Sequence, residues 1–141
     1  MPATGLMTVE EFRQLPETGP FYYELRHGEL VQVTRPKKKH AVIQRKLCRS
    51  LEQRVGQAYW VQEELAFRPL PEHELWIADI AAVTAARWDA TDDDDNLAGA
   101  PELVIEVLSP SNTAQEINDR ERLCLETGCR EFGSSIPSCV R

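Results

Sequence analysis

No apolar run in this chain approaches the ~20 residues that a membrane-spanning helix needs, and no basic start is followed by an apolar signal core. The expected address is therefore the cytoplasm, with no membrane partner. The four cysteines, Cys48, Cys124, Cys129 and Cys139, include no CxxC pair. That spacing lacks the close ligand pairs of a structural zinc site and gives no disulfide framework, so reduced thiols are expected. A net positive charge is also missing. At -7 over 141 residues, indiscriminate polyanion binding is disfavoured. What remains is ordinary for one globular domain with a real core: 42% hydrophobic and 28% charged residues.

Against that acidic background one segment stands apart. Arg35, Lys37, Lys38, Lys39, Arg45, Lys46, Arg49 and Arg54 face a single acid, Glu52, so 35–54 carries +7 and the rest of the chain -14. Such asymmetry is a footprint of nucleic-acid contact, with a solvated helix face as the plain alternative. Ile43, Leu47, Leu51 and Val55 recur every four residues, which predicts an amphipathic helix from Lys38 to about Val55. Its start, with Lys37, Lys38, Lys39 and His40, would face a phosphate, because helix N-termini add positive partial charge.

Two apolar runs each hold one acid. Leu103 to Leu108 reads as a buried strand interrupted by Glu106, and Trp76 to Val83 repeats the pattern with Asp79. An unpaired carboxylate buried there would cost several kcal/mol in order of magnitude, so something must compensate it. Two acids on two strands suit a hard divalent cation, magnesium or manganese. Either acid alone would equally fit a strand end or an arginine partner.

Elsewhere, Thr8-Val-Glu-Glu11 is a capping box opening a short helix that Pro16 closes. Tyr22 to Leu25 and Glu29 to Thr34 predict a hairpin turning at Gly28. Glu24 on its first strand, preceded by the aromatic neighbours Tyr22 and Tyr23, is a further site candidate. Tyr59 to Phe67 and Leu75 to Val83 predict strands, Asp89 to Asp95 a solvated loop, and Thr113 to Thr127 a helix stopped by Gly128. This order gives a mixed α/β (α+β) domain with a small sheet rather than a doubly wound fold.

Several stretches together resemble the Uma2 family. They are Thr8-Val-Glu-Glu-Phe12, Tyr23-Glu-Leu-Arg-His-Gly-Glu-Leu30, the helix opening at His40, Ala78-Asp79, Glu102-Leu-Val-Ile-Glu-Val-Leu-Ser-Pro-Ser111 and Gly128-Cys-Arg-Glu-Phe132. The resemblance implies a PD-(D/E)XK restriction-endonuclease-like core, with a small mixed sheet flanked by helices, over residues 1–132. It implies that Asp79 and Glu106 are the catalytic acids and the ligands of Mg2+ or Mn2+. It places Arg120 where the superfamily's lysine is expected, as a donor to the phosphate charge. Lys37, Lys38, Lys39, His40, Arg45 and Arg49 would then hold nucleic acid, DNA ahead of RNA, with a homodimer allowed.

Family members usually continue after the Glu-Phe pair with a Trp-Val-Val-Asp-Pro-like strand. Gly133-Ser-Ser-Ile-Pro137 stands here instead. Codons GGG-TCG-TCG-ATC-CCN for this pentapeptide, preceded by T, read as Trp-Val-Val-Asp-Pro in the neighbouring frame. The expectation is a frameshifted, patternless tail over 133–141 and loss of the terminal strand. The function expected is metal-dependent hydrolysis of nucleic-acid phosphodiesters, weakened by Arg120 and by that tail. The alternatives are an inactive relic of such a nuclease, either nucleic-acid-binding or truncated and poorly folded, and a small metal-binding hydrolase with another substrate.

Overall fold

The computed structural model describes residues 5–16, 21–34 and 37–135. Helix α1 (Val9–Arg13) has the predicted capping box: the Glu11 amide donates to the Thr8 hydroxyl while the Glu11 carboxylate accepts from the Thr8 amide. Strands β1 (Phe21–Arg26) and β2 (Glu29–Thr34) form an antiparallel hairpin. Its turn places both His27 (φ 53°) and Gly28 (φ 75°) in the left-handed region, the backbone of a type I′ turn. Helix α2 (Lys38–Val55) follows as predicted, then strands β3 (Tyr59–Arg68) and β4 (Trp76–Thr84).

A short helix, α3 (Ala85–Ala90), follows at once, capped by the Thr84 hydroxyl. It takes in Asp89, which the charge run had assigned to a loop. Asp95 is not merely solvated either. It accepts from Arg13 at 2.8 Å and from Arg68 at 2.9 Å, tying its loop to α1 and β3. Strands β5 (Leu97–Ala98) and β6 (Leu103–Val107), helix α4 (Ala114–Glu126) and strand β7 (Glu131–Ser135) complete the described chain.

Five strands make one mixed sheet in the order β5-β3-β4-β6-β7, with β1 and β2 as a separate two-stranded sheet. The β6-α4-β7 unit is a crossover between parallel strands, while β3, β4 and β6 are antiparallel neighbours. Below the sheet, Ile43 and Cys48 of α2 pack with Ile80 and Val107. On the other face Phe67, Trp76, Ala78, Val83 and Val104 close over Cys124 of α4. Val9, Leu25 and Leu75 form a third cluster that seats the hairpin on α1. No helix among the described residues is long and apolar enough to cross a membrane.

The end of the chain differs from expectation. Gly133, Ser134 and Ser135 continue β7, pairing in parallel register with Ile105, Glu106 and Val107. Strand pairing needs only backbone N–H and C=O groups, so a segment without apolar alternation can still extend a ladder whose partner is in place. Residues 136–141, including Cys139, lie outside the described residues, as does Arg35 of the basic segment. Cys48, Cys124 and Cys129 are all buried free thiols.

Candidate active site

The site forms where β4 and β6 part. Their ladder covers only Ile80–Ala82 against Leu103–Ile105, and past it each strand's backbone needs other partners. Side chains supply them. The Val107 amide donates to Asp79 Oδ2 at 2.7 Å, the Ile77 amide donates to Glu24 Oε2 at 2.7 Å, and the Ile77 carbonyl accepts from Arg120 at 2.7 Å. A kink in β4 accompanies this opening. Ala78 and Ala81 share one core cluster while Ile80 belongs to the other, which a strictly alternating strand cannot arrange. Across the β3-β4 ladder, between the pairs Glu63-Ile80 and Leu65-Ala78, Glu64 has a positive φ of 51°. The deformation therefore runs through both strands at the level of Asp79.

Arg120, in the middle of α4, is the hub. Its Nε donates to Glu106 Oε1 at 2.9 Å, and its terminal nitrogens donate to Glu24 Oε1 at 3.0 Å and Oε2 at 2.9 Å. With the bond to the Ile77 carbonyl this makes four, and the guanidinium also lies 4.9 Å from the Trp76 ring centroid, in cation–π range. Glu24 takes a second cation, Arg26, at 2.7 Å. Glu24 and Glu106 are 2% and 6% exposed, so these partners stand in for water.

The titration behaviour follows from the packing. Burial pushes the Glu106 carboxyl above its ordinary range, helped by the charges of Asp79 and Glu24 and opposed by Arg120. Burial also acts upward on Glu24, but Arg120, Arg26 and the Ile77 amide outweigh it and hold that carboxyl below its ordinary range. Arg120 is held well above the usual arginine value, because Glu106 and Glu24 outweigh the opposing effect of burial. Tyr22 is raised by burial and by the surrounding acids.

On the α2 side, His40 Nε2 lies 3.6 Å from Asp79 Oδ2 and 3.1 Å from the Val107 carbonyl oxygen. The nearby Asp79 carboxylate raises the His40 pKa. Gln44, one turn on, donates to the Asp79 carbonyl at 3.3 Å. Lys38 and Lys39 on the first turn, Lys37 before it, and Arg45, Lys46 and Arg49 along the helix are exposed. Arg120 thus draws Glu24 and Glu106 together, while Asp79, bonded to the Val107 amide and close enough for its charge to act on Glu106, meets His40 from α2. The lysines and the later arginines form a separate exposed surface of that helix.

Sequence reasoning missed Arg26, Gln44 and Trp76. The first two had a readable signal: Arg26 stands two residues from Glu24 on one strand face, and Gln44 four from His40 on one helix face. Trp76 had none, since its role depends on where α4 lands.

Residues 9–133 match the family model of Uma2, described as "Putative restriction endonuclease". The chain belongs to the Uma2 family. Its fold is also similar to that of "a putative nuclease belonging to DUF820" from Anabaena variabilis ATCC 29413, known from a crystal structure. The TM-score is 0.75 at 24% identity, over 94% of this chain and 75% of that one. No curated protein matches the chain. In this Uma2 domain the converging acids lie on β1, β4 and β6 and the arginine on α4, so four separate elements build the site.

Whether the donors suit a divalent ion can be judged from their chemistry. No group of three or more His, Cys, Asp or Glu among the described residues is disposed to hold a metal. Asp79 and Glu106 offer carboxylate oxygens at the open end of the β4-β6 ladder, and magnesium is commonly held by one or two carboxylates together with waters and substrate phosphates. The donor set fits on those terms.

Proposed function

We propose that this Uma2 domain hydrolyses phosphodiester bonds of nucleic acid, with DNA the first substrate to test. The observation that carries this reading is the convergence of Glu24, Asp79, Glu106 and Arg120 where two strands part, with His40, from the start of the basic helix, beside Asp79. Asp79 and Glu106 would hold magnesium or manganese, which when bound supplies Lewis-acid polarisation of the scissile phosphate and a more acidic water.

The chain's own residues do the rest. Lys37, Lys38 and Lys39 would take backbone phosphates, with Arg45 and Arg49 further along the helix. Basic residues in the first turn oppose the helix dipole, and α2 has neither an acid in its first turn nor a side-chain cap. A polyanion lying there would relieve that cost, which supports a nucleic-acid role for the segment. Such contacts are largely independent of sequence. The Val107 amide and the neighbouring His40 fix Asp79, while Arg120 holds Glu24 and Glu106 in one orientation. In the reaction water attacks phosphorus, the bond to the leaving oxygen breaks, and the departing oxygen takes up a proton.

A second reading, binding without cleavage, is favoured by one observation: the guanidinium at the expected lysine position is already engaged by Glu24, Glu106 and Ile77. Incubating the protein with end-labelled single- and double-stranded DNA and RNA, in magnesium and in chelator, separates the two. Magnesium-dependent cleavage supports hydrolysis. Retention of the labelled strand on the protein with no cleavage in either condition supports the binding reading.

A further inference from the structure

We propose that Arg120 is the site's resident cation: it compensates Glu106 and Glu24 when no divalent ion is bound, and it competes with such an ion for Glu106. This rests on Asp79 and Glu106 being the metal ligands. The geometry supporting it is the arrangement of the guanidinium fork. One edge is fixed on Glu24 by bonds to both oxygens, and the ring of Trp76 and the carbonyl of Ile77 hold the plane. Only Nε is left to Glu106, at 2.9 Å.

A dication taking Glu106 must break that bond and leave a fixed guanidinium beside it. Two like charges then share a buried site, and the cost falls on metal affinity. Arginine cannot relieve this by giving up its proton or by swinging away while Glu24 grips it. A lysine would meet the acids with one small ammonium on a flexible stem, and could not hold both carboxylates with the same fork. Arg120 therefore sets how much divalent ion the site requires.

Manganese and magnesium titrations followed by calorimetry, with thermal melts in parallel, test this on the full chain. Arg120→Gln should bind manganese tighter than wild type by roughly tenfold or more, because a buried competitor has been removed. It should also gain more melting temperature on adding metal. Adding Glu106→Gln should abolish the gain. A folded Arg120→Gln with affinity no higher than wild type overturns the proposal, as does a gain that survives Glu106→Gln. Should Arg120→Gln be unfolded without metal, manganese must restore the fold by replacing the lost positive charge; a chain unfolded in both conditions overturns the proposal too.

Cleavage scored on the same samples keeps the two readings distinct. Tighter metal binding by Arg120→Gln, with no cleavage by wild type in magnesium or manganese, supports the competition and removes hydrolysis as the function. Affinity unchanged in Arg120→Gln, with wild type cleaving, overturns the competition alone.

Discussion

Arg120 and Glu24 meet through two parallel hydrogen bonds, at 3.0 and 2.9 Å, although 96 residues separate them. The pair fastens the hairpin to α4 and so closes one wall of the site. Because Glu24 is almost fully buried, losing its charge leaves Arg120 and Arg26 short of a counter-ion. Glu24→Ala should cost about 3–5 kcal/mol of stability, the usual range for breaking a buried pair by removing one partner. Urea unfolding measures it, and a loss under about 1 kcal/mol, the range of exposed pairs, would contradict a buried, structural pair.

A second clasp joins the same elements near the surface. His27 lies between two acids, with Nδ1 2.8 Å from Glu74 and Nε2 2.8 Å from Asp119. The bond to Asp119 raises the His27 pKa, with help from Glu74 against the effect of burial, while His27 in turn lowers that of Asp119. A raised histidine stabilises fully below its unfolded pKa of about 6.5, and that share is lost as pH climbs through the higher folded value. Asp119's share is present above about 3.9 and lost as pH falls through its lowered value. Melting temperatures of wild type and His27→Gln should therefore converge as pH rises above neutrality. A gap that widens with rising pH would contradict the clasp.

Salt dependence tests the basic helix. If Lys37, Lys38 and Lys39 each hold a phosphate, the log-log slope of DNA affinity against salt should lessen by roughly 0.9 for each lysine changed to glutamine. Fluorescence anisotropy at several salt concentrations gives the slope. An unchanged slope in the triple variant would remove these lysines from the interface.

The elements were legible wherever periodicity or capping chemistry was strong. The four-residue stripe of α2, the Thr8 capping box and the acid-bearing strands are local signals, and each sits where it was expected. Asp79 and Glu106 were legible for the same reason, since an acid among apolar residues is anomalous without any partner in view. Arg120 was found only through resemblance to a family, and its four bonds depend on where the hairpin and α4 meet. The strand continuing through Ser135 was illegible because its pairing uses backbone atoms, which Gly133, Ser134 and Ser135 supply as well as any residue. The positive φ at Glu64 likewise leaves no mark in composition, because glutamate is an unusual choice for that conformation.

The claim that this cluster cleaves phosphodiesters is tested most directly by nicking of supercoiled plasmid in magnesium, comparing wild type with Asp79→Asn. Asparagine keeps an oxygen for the Val107 amide but loses the carboxylate charge. Wild type should nick and chelator should stop it, the variant should fall by about 100-fold or more, and DNA affinity should be unchanged by the substitution. Equal nicking by the two proteins would place the chemistry elsewhere.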